Sequence, residues 1–329
     1  MLKISVLGLG NWGTALANHL ASGGNDVLGW CIEEDIAASI NSDQRNPRYQ
    51  SDIKLEKSLK ATNDLAEALE RKVILMVFPS AALKEMVPKL SLKADTILIS
   101  AIKGLEKETL LTPLQYAQQN LKTPAKLCVI SGPSFAKDVV RHLPCTVVAA
   151  SDELATAEEV AKLFSFNNLR VYSSTDTIGV ELGGVLKNVI ALAAGVCDAL
   201  NLGDSARAAL ITRGLAEMTR LATAMGADAR TLAGLSGLGD LVMTASCDTS
   251  RNRTVGLRLG NGESLDHIIE TLGSVAEGVT TTPLALRLAE KYQEDLPIAQ
   301  NVQKLLNGEQ TPKQMVEALI SRPLRKEFK

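Results

Sequence analysis

Lys3–Ser22, KISVLGLGNWGTALANHLAS, is the stretch whose reading decides the fold. Lys3–Leu7 is a short apolar and β-branched run, which reads as a buried strand. It empties directly into GLGNWG, Gly8–Gly13, and a helical pattern continues over Thr14–Ser22. Strand, glycine turn and helix in that order make the GxGxxG arrangement of a dinucleotide site. Gly8 permits the tight turn, Gly10 lets the backbone approach a pyrophosphate, and Gly13 allows close packing of helix on strand. The phosphates would rest on free N–H groups at the helix start, where the macrodipole favours negative charge. The alternative is a glycine-rich turn that serves packing only.

Outward from this unit, short β-branched runs alternate with helical stretches. Candidate strands are Asp26–Trp30, Val73–Phe78, Thr96–Ser100, Leu127–Ser131, Cys145–Ala149 and Leu169–Tyr172, with helical patterns such as Ala81–Leu90 between the early ones. Such alternation implies an α/β fold, a mostly parallel sheet with helices on both faces. From about Ser174 the character changes: Ala, Leu and Gly dominate, and helical periodicity runs to the C-terminus. The small, polar segment VYSSTDTIG, Val171–Gly179, reads as a junction between a first domain at 1–175 and an all-helical second domain at 176–329.

Composition narrows the function classes. At 329 residues the chain is long enough for two cores, and 46% apolar with 22% charged residues is ordinary for a globular protein. A net charge of −2 speaks against nucleic acid or a membrane surface as a partner, so any anion site must be a local cluster of donors. Cys31, Cys128, Cys145, Cys197 and Cys247 form no CxxC pair, which suits reduced thiols in a cytoplasmic protein. His19, His142 and His267 have no ligand spacing, and no metal is expected. The first apolar run is too short for a signal peptide, and the longest, within Val189–Cys197, falls short of a membrane span.

At the end of the second strand, where an adenosine ribose would arrive, stand Glu33 and Glu34. A carboxylate suits a ribose 2′-OH and repels a 2′-phosphate, favouring NAD over NADP. Both glutamates equally suit the first turn of the next helix, and Arg45 and Arg48 lie close enough in sequence to fold over the adenosine end. Further donors follow. Lys103 closes the fourth strand in ISAIKGLE, and the fifth empties into SGPSFA, where Gly132 exposes backbone groups and Ser134 offers a hydroxyl. Ligands gather at the carboxyl ends of strands in such sheets, although a lysine there is often a solvated loop residue. In Ser250-Arg251-Asn252-Arg253, Arg supplies a planar fork and Asn a lateral amide, which together grip a phosphate or carboxylate or else form a basic surface turn.

Lys187 poses the sharpest question. It sits within GVELGGVLKNVIALAAG, Gly179–Gly195, and shares its helical stripe with Gly183, Gly184, Ala191, Ala194, Gly195 and Asp198. Neighbours so small let something large lie at the lysine's own height. One occupant is another helix, with the lysine snorkelling past it. The other is a nicotinamide ring with its substrate.

From Leu2 to about Lys326 the sequence resembles the bacterial NAD(P)-dependent glycerol-3-phosphate dehydrogenases. The resemblance rests on GLGNWGTALA, KGLE, ISGPSFA, LKNVIALAAG, ALITRGLAEM, GLGDLVMT, SRNRTVG and VAEGVTT, in the family's order and spacing. It implies a Rossmann-type, doubly wound sheet followed by a helical substrate domain. It also implies reduction of dihydroxyacetone phosphate to sn-glycerol 3-phosphate with NADH or NADPH, feeding phospholipid synthesis, in a cytoplasmic homodimer. By matching position, Lys187 is the catalytic residue. Lys103, Gly132, Ser134, Asn188, Asp240, Thr244, Ser250, Arg251 and Asn252 line the substrate. Gly8, Gly10, Asn11, Trp12, Gly13, Lys103, Ala136, Arg251, Val275 and Glu277 meet the cofactor.

Two positions depart from the family pattern. Ile32 stands before Glu33 where many members have Arg or His, weakening the case for NADPH, and Ser205 replaces the usual Asn of an NARAAL turn. The rival enzymes, 3-hydroxyacid and 6-phosphogluconate dehydrogenases, pair their lysine with an asparagine on the following turn, whereas Lys187 and Asn188 are adjacent. A dinucleotide-sensing protein without turnover would not need Lys103, Lys187 and the Arg251 cluster together.

Overall fold

The structure is a computed structural model, and it describes residues 1–273, 276–323, 326 and 327. By its internal contacts the chain forms two compact units, Met1–Glu181 and Leu182–Lys329. In the first unit one sheet carries β1 (Lys3–Leu7), β2 (Asp26–Trp30), β3 (Leu59–Thr62), β4 (Val73–Met76), β5 (Ile97–Ser100), β6 (Lys126–Ser131), β7 (Cys145–Ala150) and β8 (Leu169–Ser174). Their order is β3-β2-β1-β4-β5-β6-β7-β8. All neighbours run parallel except β6 and β7.

A parallel sheet is covered on both faces, so its central strands read as unbroken apolar runs. β4, VILM, is buried at every residue. Alternation sorts side chains between two cores. Ile4, Val6, Leu75 and Ile99 pack under the helix Asn11–Ser22 with Leu16 and Leu20, while Leu7, Met76 and Leu98 join Leu83 and Tyr116 on the opposite face. β1 ends level with β2 and β4, Leu7 pairing with Trp30 and Met76. The chain winds outward from β1 to β3 and then returns to β4, so the glycine turn leaves β1 at the point where strand order reverses.

Two readings of the sequence need correction. β3, LKAT, is an edge strand that alternates buried and exposed residues and carries a lysine, so it lacks an apolar run to announce it. The stretch Ala81–Leu90 is not one helix. It is a 3₁₀ turn Ser80–Ala82, a single α-turn Leu83–Met86 and a second 3₁₀ turn Val87–Lys89, because Pro88 cannot donate the next i→i−4 bond. The segment Val171–Gly179 spans the end of β8 at Ser174 and the start of a helix at Thr177.

That helix, Thr177–Ala199, is long and apolar enough to cross a membrane by length and composition, contrary to the short run seen in sequence, but its apolar 18-residue stretch is entirely buried within the protein. Helices apolar on all sides belong in cores. In the second unit it is met at backbone distance. A Cβ on Gly195 would lie 2.1 Å from the Arg253 carbonyl oxygen, and one on Gly256 would lie 1.9 Å from that of Leu192. Two glycines thus let the helix Arg251–Gly260 touch the long helix backbone to backbone. Cys31, Cys128, Cys145 and Cys197 are buried, and Cys247 is half-buried. Burial pushes the Cys128 thiol up to about 12 and that of Cys31 to about 11, so both stay neutral and unreactive.

Candidate active site

At the glycine turn each glycine has its own steric reason. Gly8 has φ +107°, and a Cβ there would lie 2.9 Å from the Phe78 nitrogen. On Gly13 it would lie 1.8 Å from the Gly8 oxygen, so this glycine relieves the turn itself rather than the neighbouring strand. A Cβ on Gly10 would meet nothing within 4 Å. The helix begins at Asn11, three residues earlier than its apolar pattern, so Asn11, Trp12 and Gly13 form its first turn. Its N-cap, Gly10, offers no side chain to the free N–H groups, and no acid occupies the first turn. The indole Nε1–H of Trp12 is buried without a partner. Open space beside Gly10, an uncapped 12-residue helix and an unanswered indole donor fit a dinucleotide pyrophosphate.

Asn46, overlooked in the sequence, braces this turn. Wholly buried, it donates from Nδ2 to the Leu9 carbonyl at 2.9 Å and to Thr14 Oγ1 at 2.8 Å. Its Oδ1 accepts from the backbone of Arg48 and Tyr49. Nothing in a local pattern marks such a residue, because its partners lie more than a helix away in sequence. Glu33 and Glu34 take the N-cap and first turn of the helix Glu34–Asp43, directly after β2, where both readings of them meet. Arg48 is committed to Asp35 through two hydrogen bonds of 2.9 and 2.8 Å, and Arg45 to the Ser51 carbonyl.

The other first-unit candidates converge on one carbonyl. Lys103 Nζ approaches the Gly132 oxygen at 3.5 Å, and Ser134 Oγ donates to it at 3.1 Å. Gly132 has φ +150°, and a Cβ on it would press on Val147 Cα at 2.8 Å. Ala136 opens the short helix Ala136–Val140 just beyond.

In the second unit, Lys187 does not snorkel. It is 5% exposed, and its ammonium donates to Asp240 Oδ1 and, at 2.9 Å, to Thr244 Oγ1. Local structure explains the meeting. Leu235–Gly239 forms a π-helical turn leading straight into the helix Asp240–Ser246, and such turns break the ordinary helical register. The turn's backbone rests on Gly183, whose Cβ would lie 2.5 Å from the Ser236 oxygen. Gly183 is one helical turn before Lys187, so Asp240 arrives at the lysine's height. Asp240 and Thr244 are four apart and share a face. The threonine hydroxyl donates on to the Asp240 carbonyl at 2.6 Å and so presents its lone pairs to the ammonium. An isolated buried ammonium would be prohibitive; this one has a carboxylate and a hydroxyl.

Asn188 faces other helices. Its Oδ1 accepts from Asn252 Nδ2 at 2.9 Å, and its Nδ2 reaches Glu277 Oε2 at 3.4 Å. Asn252 Oδ1 accepts from the Gly278 N–H at 2.8 Å. The cluster after Ser250 divides by role. Ser250 Oγ caps the helix Arg251–Gly260 by accepting from the Arg253 N–H. Arg253 is spent on Asp198 and Asp248 at 2.7 and 2.8 Å. Arg251 remains exposed at the first helical position. Val275 lies outside the described residues. Ser205 is exposed near the start of the helix Asp204–Ala224. Among the described residues no group of three or more His, Cys, Asp or Glu is arranged to hold a metal ion.

A sheet of this order opening on a glycine turn, with a helical unit that buries a lysine on a carboxylate, equips a nicotinamide-dependent dehydrogenase. Comparison with known proteins narrows the class. Residues 3–157 match the family described as NAD-dependent glycerol-3-phosphate dehydrogenase N-terminus, and residues 176–317 match its C-terminus. Glycerol-3-phosphate dehydrogenase (NAD(P)+) from Geobacter metallireducens is 46% identical over 325 residues, 97% of each chain. The protein of that name from Desulfovibrio desulfuricans is 45% identical over 329 residues, 99% of each chain. The crystal structure of glycerol-3-phosphate dehydrogenase from Coxiella burnetii is 38% identical, with a TM-score of 0.93 over 98% of this chain and 99% of that one. The chain belongs to the NAD-dependent glycerol-3-phosphate dehydrogenase family and is an NAD(P)-dependent oxidoreductase.

Proposed function

We propose that the chain reduces dihydroxyacetone phosphate to sn-glycerol 3-phosphate with Lys187 as the proton donor. The observation carrying this reading is the burial of the Lys187 ammonium on Asp240 and Thr244 in a largely apolar helix. A core does not keep such a cation without use for it. The bound reduced nicotinamide supplies the hydride. As negative charge grows on the ketone oxygen, Lys187 stabilises it and delivers the proton. Asp240 orients the ammonium throughout.

Arg251 is the phosphate contact. A cation at the first position of a helix opposes the macrodipole, a placement that makes sense when an anion shares the site. Asn252, Asn188 and Ser250 add donors to the substrate, and the phosphate grip holds the ketone for attack. Gly8, Gly10, Asn11, Trp12 and Gly13 hold the cofactor, and Ala136, Val275 and Glu277 are further cofactor contacts. Lys103, Gly132 and Ser134 contact substrate, with Lys103 also meeting the cofactor. Glu33 and Glu34 favour NADH over NADPH. The product is a precursor of phospholipids, and we place the enzyme in the cytoplasm as a homodimer.

The test is steady-state turnover followed by reduced-nicotinamide absorbance, with dihydroxyacetone phosphate set against 3-oxoacids and with each cofactor in turn. The reading expects turnover of the phosphorylated ketone and higher kcat/KM with NADH. Activity confined to oxoacids would refute it.

A further inference from the structure

We infer that Gly278 is a positioning residue that wires Asn252 and Asn188 as hydrogen-bond donors toward an acceptor-rich substrate; this deepens the function proposed above and rests on it. A side-chain amide can be built either way round, but a backbone N–H only donates. Gly278 lies at the second position of the helix Glu277–Lys291, among the first N–H groups that lack a partner within a helix, and its N-cap residue Ala276 supplies no side-chain cap. Asn252 Oδ1, from a different helix, fills that role at 2.8 Å.

Everything downstream follows in one direction. With its oxygen on Gly278, Asn252 turns its NH₂ to Asn188 Oδ1 at 2.9 Å. Asn188 must then turn its own NH₂ away, toward the Glu277 carboxylate and the Gly184 carbonyl at 3.4 and 3.5 Å. The chain of bonds starts at the amide of Gly278 and ends at the carboxylate of its neighbour Glu277. Each asparagine has its oxygen engaged; both N–H groups of Asn188 are directed at Glu277 and Gly184, and Asn252 keeps one N–H in reserve. The relay, with its remaining N–H on Asn252, therefore suits phosphate or ketone oxygens and disfavours an ammonium or other donor group.

Sterics restrict position 278 to glycine. A Cβ there would lie 2.6 Å from the Asn188 carbonyl oxygen and 2.9 Å from Asn252 Oδ1. The first is backbone of the long helix and cannot swing aside, so any side chain drives the helix start away and breaks the orienting bond.

Gly278→Ala tests this in the full-length enzyme. The expected result is a rise of about tenfold or more in KM for dihydroxyacetone phosphate, with a smaller fall in kcat; NADH affinity by fluorescence titration should fall by a smaller factor than KM rises, since Glu277 moves with the helix start. A KM within roughly twofold of the parent, or a loss of NADH affinity as large as the rise in KM, overturns the inference. If that variant does not fold, Asn252→Asp decides. It keeps the acceptor on Gly278 but loses the donor and turns a carboxylate oxygen toward Asn188 Oδ1. A raised KM with NADH affinity retained supports the wiring, and an unchanged KM overturns it. A parent enzyme that fails to turn over the phosphorylated ketone sinks the functional reading instead.

Discussion

Lys103 and Lys187, the two lysines of the proposed chemistry, are kept in opposite ways. Lys103 is half-buried just beyond β5, with the Gly132 carbonyl among its partners at 3.5 Å. Lys187 is enclosed by the helices of the second unit and bonded to a carboxylate and a hydroxyl. A half-exposed ammonium retains water and can follow a ligand. An enclosed one has exchanged water for fixed partners and costs no reorganisation when charge develops beside it. The difference fits the separate tasks proposed above, recognition for Lys103 and proton delivery for Lys187.

The largest effect expected from this contrast is at the enclosed partner. Asp240→Asn leaves a buried ammonium without its counter-charge, at a cost of about 3–5 kcal/mol. Thermal unfolding should shift strongly downward, and kcat should fall by about a hundredfold. Lys103→Ala should leave the thermal midpoint nearly unchanged while raising KM. Equal thermal shifts in the two variants would erase the distinction.

Glycines repeat the contrast between packing and recognition. Gly256→Ala forces a Cβ to within 1.9 Å of the Leu192 oxygen, so the helices must separate. Overpacking of this kind costs about 1–3 kcal/mol or more, measurable by denaturant titration. Gly10→Ala meets no atom within 4 Å and has a φ of −70°, so folding should be unaffected. Its NADH affinity should fall by about tenfold, because the added methyl occupies the approach to the backbone. Unchanged NADH affinity would mean that the turn serves packing alone.

The last comparison concerns pH, and here the two units behave alike. Glu181 accepts from the Leu114 N–H, and Glu217 accepts from that of Ile298. Burial, acting against these hydrogen bonds, pushes each carboxyl up to about 7. A raised folded-state value means the folded protein holds the proton more tightly. The stability is therefore fully present below the unfolded value of 4.5 and is lost as pH rises through about 7. For Glu217 the loss is on the order of 3 kcal/mol. Glu217→Gln keeps the acceptor for Ile298 and should remove about half of the combined pH dependence between pH 5 and 8, with Glu181 carrying the rest. Parallel curves of thermal midpoint against pH for parent and variant would show that Glu217 carries no such linkage.

Much of the first unit was legible because a covered parallel sheet writes its strands as apolar runs. β1, its glycine turn and the following helix are consecutive in sequence, so pattern and geometry coincide. β3 escaped because an edge strand needs no apolar run, and Pro88 broke a helix that periodicity alone had joined. The second unit is harder to read for a different reason. Its polar contacts join residues far apart: Lys187 and Asp240 are separated by 53 positions, Asn188 and Asn252 by 64. Family resemblance named those residues. What local pattern could not supply was the direction of the asparagine amides, the commitment of Arg253 to Asp198, or the brace at Asn46. The small-residue stripe beside Lys187 was open to two readings, and Gly183 and Gly195 prove to be sites of backbone packing.

The most direct test is single-turnover oxidation of NADH by Lys187→Ala at saturating dihydroxyacetone phosphate. With Lys187 as proton donor, the chemical step slows by at least about a hundredfold while NADH affinity is retained. A chemical step as fast as the parent's would show that the buried ammonium is a structural ion pair and that the proton comes from elsewhere.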